Sequence, residues 1–180
     1  MNPPSKELID NLRHPLRPAL PGMLLAVLTL LFGFALGIVF GLNEDGLKST
    51  LKASAAEVRE SAYHGDDAAI KAVLDKSWVY MQRAHLHAGG LGAAAVGLIL
   101  LLSLLAAPPG LTRAISLGLG AGGLGYAAYW LWAGFRAPAL GSTAAAKESL
   151  KWLALPSSAA VVISTAAIAV LIVCAIARRR

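Results

Sequence analysis

The sequence predicts an all-α integral membrane protein. The expected form is a four-helix up-down bundle with an extramembrane helical hairpin extending the first two spans. Three observations carry this expectation. The 180 residues are 57% hydrophobic and only 14% charged, whereas a soluble domain carries roughly 25% charged residues. So few charges cannot keep a surface wet, which makes lipid the fitting solvent. Four apolar runs, residues 24–42, 88–107, 114–135 and 152–177, each extend for about 19 residues or more, close to the roughly 20 that a bilayer crossing needs. The link "PPGLTR" between the second and third runs allows only a tight turn, so consecutive spans run antiparallel.

Residues 1–20 read as a loose cytoplasmic arm, broken by Pro3, Pro4, Pro15 and Pro18. Its stretch "SKELIDNLRH" has room for a turn or two of amphipathic helix. The remainder, 21–180, is one four-span domain. Its first span, about 22–43, follows Arg13 and Arg17 in the manner of a signal peptide. The run exceeds the 7–15 residues of such a segment, however, and "FALGIVFGLNEDG" offers no clear cleavage site. It is expected to be retained.

Residues 44–79 form the outer hairpin. Leu47, Leu51, Ala55 and Val58 recur at helical spacing, as do Ile70, Val73 and Leu74. In "HGDD" between them, Gly65 suits the left-handed end of one helix and Asp66 the cap of the next. The hairpin should project on the order of 25 Å from the bilayer, at 1.5 Å per residue. Spans of about 80–107 and 111–135 follow. After Pro138 and Gly141, Ser142 or Thr143 caps a short helix leading into the last span, 152–177, where Pro156 permits a kink. Gly118, Gly122 and Gly125 of "GLGAGGLGY" make a close-packing face. With no strand before it and no Lys-Ser/Thr after it, this run is not a phosphate loop.

Basic residues orient the chain. Lys6, Arg13, Arg17, Arg113 and Arg178–Arg180 fall on one side, while the charges of the other side nearly balance. Lys/Arg excess marks the cytoplasm, so both termini are expected there, with the cell inner (plasma) membrane as the location. Trp78, Tyr80, Tyr129, Trp130, Trp132 and Trp152 fall near the opposite boundary, as an interfacial belt would. The net charge of +6 flanks spans instead of forming a patch interleaved with aromatics, which argues against nucleic acid. The single cysteine, Cys174, excludes an internal disulfide and a CxxC redox pair.

The candidate site lies in "YMQRAHLHAGGLG", residues 80–92, where Arg83, His85 and His87 stand against an apolar run. A turn at Gly65 sets Gly41 opposite Gly89, Gly37 opposite Ala93 and Gly33 opposite Gly97. Two small-residue stripes would then let the backbones approach. The same register puts Asp45 opposite His85, with Glu44 near Arg83. The cluster then acts either as an interfacial lock or as a site. Asp45, Glu44, His85 and His87 are the candidate metal ligands, since imidazole and carboxylate suit zinc or copper. His85 and His87 are also the candidate cofactor contacts. His-x-His on a helix separates the rings by about 200°, so His87 should point to the third or fourth span. His14 and His64 lie elsewhere, so a bis-histidine haem would need a second chain.

No nucleophile–base pair, zincin pattern, P-loop or thiol pair is present, and a non-enzyme is expected, with no cofactor as the default. The best reading is a non-catalytic accessory subunit or assembly factor, partnered by lipid and by a second copy or a larger membrane complex. The competing reading is a metal- or haem-binding protein of an electron-transfer or metal-handling system using His85 and His87. A small proton-coupled transporter is third.

Overall fold

A computed structural model describes residues 16–105 and 107–178. Most of the proline-rich arm and the last two arginines lie outside the described residues. Every regular element among those described is helical. A single 3-10 turn at Arg17–Ala19 leads into α1 (Leu20–Glu57). The remaining elements are α2 (Arg59–Tyr63), α3 (Asp67–Leu104), α4 (Pro109–Ala139), α5 (Thr143–Glu148) and α6 (Lys151–Ala177).

The long helices start and stop where local chemistry dictates. Within α1, Asn43 leaves helical geometry (φ −138°, ψ 33°), at the point where the apolar run ends. Its side chain lies over Gly46, occupying the space a β-carbon there would fill. Asparagine offers the backbone an alternative hydrogen-bonding partner, which favours such a break. Beyond Val58, the short α2 ends on His64 and Gly65, both left-handed (φ 53° and 74°). Histidine is among the non-glycine residues that tolerate this region best. Asp66 then caps α3, accepting from the amides of Ala68 and Ala69 at 2.8 and 3.0 Å. Between the choices of Ser142 and Thr143, the cap of α5 is Ser142, which accepts from the Ala145 amide at 3.2 Å.

Helices α1, α3 and α4 pack pairwise against one another, whereas α6 packs almost wholly on α4. Three long helices thus form a core, and a fourth, α6, lies on one flank. The glycines of α4 point in several directions. Gly118, Gly122 and Gly125 stand against Ala160, Ser164, Ser157 and Val161 of α6. Gly120, about 200° around the helix from Gly118, stands against Gly22, Leu25 and Ala26 of α1. Gly134 stands against Ser77 and Met81 of α3. Helix α4 thus meets α1, α3 and α6 and is the hub of the fold.

Three helices, those built on residues 17–57, 67–104 and 151–177, are long and apolar enough to cross a membrane. The glycines and aromatics of α4 dilute its own apolar character, and its neighbours shield it. The core divides along the axis. Ala26, Ala95, Ile99, Leu102, Leu119 and Ile168 pack at the end where α1 begins and α6 ends. Leu36, Phe40, Leu51, Met81 and Ala84 pack towards the hairpin.

The hairpin does not project freely. The Tyr63 hydroxyl donates to the Pro138 carbonyl at 2.8 Å, and Gly141, itself left-handed (φ 62°), sits directly against Ala62. The tip is therefore folded down onto the link between α4 and α5.

Candidate functional site

The paired faces of α1 and α3 differ in register from the sequence expectation. Gly33 does not meet Gly97. A β-carbon on Gly33 would lie 2.9 Å from the Gly89 amide nitrogen and 3.1 Å from the Ala88 β-carbon. Gly37 meets the His85 ring instead of Ala93, and Gly92 meets Leu30. Gly41, Gly89 and Gly97 border open space, and Ala93 is exposed. The helices have slid by about two turns of 3.6 residues from the pairing that a turn at Gly65 would impose. The physical cause is the connection itself. The break at Val58 and the folded α2 consume chain before Gly65, so the hairpin is centred on Ser61.

This slide decides what His85 does. Its Nδ1–H donates to the Gly33 carbonyl at 2.8 Å, joining α3 to α1 across 52 positions of sequence. The ring fills the space above Gly37, where a β-carbon would come within 2.8 Å of Cε1. The edge of Phe40 closes it off, with centroids 6.4 Å apart. A carbonyl only accepts, so Nδ1 carries the proton in this arrangement. The expected pairing of His85 with Asp45 is replaced by a bond from His85 to backbone.

The acidic residues stand apart from the histidines. Glu44 pairs with Lys48 one turn further along its own helix. Asp45 is exposed, and no ion pair joins it to any cation among the described residues. The expected metal set of Asp45, Glu44, His85 and His87 is not gathered. No group of three or more His, Cys, Asp or Glu side chains is brought together among the described residues.

Arg83 and His87 face the other way, towards α4, as the His-x-His spacing requires. The His87 ring lies 5.0 Å from Tyr126 and stacks on Trp130 at 6.2 Å. The Arg83 guanidinium lies over Trp130 at 4.9 Å and over Tyr80 at 5.7 Å, in place of the expected Glu44. Such contacts hold a cation against an aromatic face at about 0.5–1 kcal/mol each where exposed. Among the described residues, the one buried side-chain polar atom without a partner is Trp130 Nε1. The expected interfacial belt is accordingly split. Tyr80 and Tyr129 are buried with Ala133 and Leu150, whereas Trp132 and Trp152 face outward as an edge-on pair at 6.1 Å.

Sequence reasoning missed this aromatic box. The signal was present: Tyr80, Arg83 and His87 share a helical stripe at i, i+3 and i+7, and Tyr126 and Trp130 share one at i, i+4. The separation of the two imidazoles means that they cannot converge on one ion. Each is satisfied by packing against a different helix. No protein-family model, curated protein or solved structure matches the chain.

Proposed function

We propose that the chain is a non-catalytic accessory subunit or assembly factor of a membrane complex. In this reading α4 crosses the bilayer together with the three strongly apolar helices. Both termini face the cytoplasm across the cell inner (plasma) membrane, and α6 meets a partner or a second copy. The observation that carries it is the lopsided seating of α6. Only 11% of its most apolar stretch is buried, against 28% in α1 and 33% in α3. Val162, Ile163, Val170 and Val173 all face outward, each more than half exposed. In lipid the hydrophobic effect does not hold helices together; close packing does. A span packed on a single neighbour leaves most of its contact surface free for another helix. The metal- or haem-binding reading and the transporter reading draw no comparable support from the geometry, since His85 and His87 face different helices.

The test is purification of the tagged full-length chain in mild detergent, with mass spectrometry and native mass measurement. A stoichiometric complex, or a defined oligomer of this chain, is expected. Ala166→Trp, on the uncovered face of α6, should break that complex. A lone chain in its detergent belt, unaffected by Ala166→Trp, would overturn the accessory reading.

A further inference from the structure

Beyond the break at Asn43, the facing arms of α1 and α3 enclose a cleft of about 900 Å³. Its floor is apolar, made by Leu51, Ile70, Leu74 and Trp78. Its charged lining is Lys48, Lys52, Arg59 and Lys71 together with Asp67 and Asp75. Small-molecule sites typically enclose roughly 300–1,000 Å³ and combine an apolar lining with a few placed polar groups. The cleft falls within that description.

The lining cations are not equivalent. Arg59 is held by Asp67 at 2.8 Å, and Lys71 by Asp75 at 2.7 Å. Lys48 pairs with Glu44 and also lies 5.1 Å over the Trp78 ring. Lys52, one helical turn beyond Lys48 on the same stripe, has no acidic side chain within ion-pair distance among the described residues. An apolar trough beside one unengaged ammonium is complementary to a hydrocarbon chain ending in a single anionic head. The cleft begins at Lys48 and Trp78, just past the end of the first apolar run. In the membrane placement proposed above, on which this step rests, a molecule dissolved at the bilayer surface meets it directly.

We propose that this cleft binds single-chain anionic amphiphiles. The hydrocarbon lies on Leu51, Ile70 and Leu74, and the head, a carboxylate or a phosphate monoester, is held by Lys52, one turn from the Glu44-paired Lys48. The proposal stands independently of whether α6 meets a partner.

The experiment uses the full-length protein in nanodiscs of zwitterionic phosphatidylcholine. The probe is a palmitate analogue bearing a mid-chain diazirine, with photo-adducts mapped by mass spectrometry. Saturable adducts on Leu51, Ile70 or Leu74 are expected. Excess palmitate or lysophosphatidate should compete them away, whereas methyl palmitate, equally apolar but uncharged, should not. Whichever anion competes better identifies the source as free fatty acid or phospholipid. Combining Lys48→Glu with Lys52→Glu should lower labelling of the cleft at least tenfold. Both positions are on the hairpin surface, and the competition arms need no variant. Adducts confined to the apolar spans, equal competition by the methyl ester, or undiminished labelling in the double variant would overturn the proposal. A cleft that seats a partner's helix would give the first of these outcomes.

Discussion

At the residue scale, the most informative side chain is His85. Placed at the edge of an apolar span, an imidazole invites a ligand role, yet here its Nδ1–H is spent on a backbone carbonyl. Interhelical side-chain hydrogen bonds in membranes are worth about 0.6 kcal/mol on average and reach roughly 1.7. His85→Ala should therefore lower stability by about 1–2 kcal/mol, including lost packing over Gly37, in an equilibrium unfolding assay in mixed micelles. Glycine controls sharpen this. Gly37→Ala forces its β-carbon against the ring, whereas Gly41→Ala points into open space. The first should destabilise and the second should be close to neutral. Equal effects would mean that the register is wrong. Tyr63 gives a second residue-scale outcome. Burial raises its pKa above the ordinary tyrosine value, which is about 10. The neutral phenol makes the bond to Pro138, so this contribution is complete below about pH 10 and is lost as pH rises through the raised value. Tyr63→Phe should cost about 1 kcal/mol and should speed amide exchange in residues 59–66 at neutral pH.

At the scale of elements, the links decided more than the helices. The apolar runs and the cap at Asp66 were legible, and the cap of α5 was narrowed to Ser142 or Thr143, because each depends on residues adjacent in sequence. The register of α1 on α3 was not. It depends on how many residues the connection consumes, and the short α2 folded over by the Tyr63–Pro138 bond answers to a segment 75 positions away. One misjudged turn moved every facing pair, from Gly33 to Asp45. The glycine stripe of α4 could be read as a packing face, but its partner could not be named from sequence. Gly122→Leu should loosen α6, because a side chain there meets the Ser157 carbonyl and Val161. Hydrogen exchange would then rise across residues 151–177 while α1 and α3 stay protected. Uniform loss of protection would show instead that α6 is integral to the core.

At the scale of the molecule, the chain divides into a membrane-like shaft and an outer head made of the α1–α3 arms, α2 and α5. Leu171 and Ile172 pack at the core end that holds Ala19 and Leu102, which puts Cys174 opposite the hairpin tip. Under the proposed orientation, a membrane-impermeant maleimide should leave Cys174 unlabelled in right-side-out vesicles. In a Cys174→Ser background, Lys71→Cys should label readily from the same side. The reverse pattern would invert the topology.

Composition and run length by themselves determined that the chain is helical and apolar enough for lipid, because burial of long uncharged segments is a property of each segment alone. They also determined the cap at Asp66, since capping is local. Tertiary structure alone decided that α4 is the hub, that α6 hangs on its flank, that His85 bonds to Gly33, and that His87 and Arg83 join an aromatic box. Each of these depends on which faces meet, and a slide of two turns between two smooth helices changes little in composition while replacing every partner.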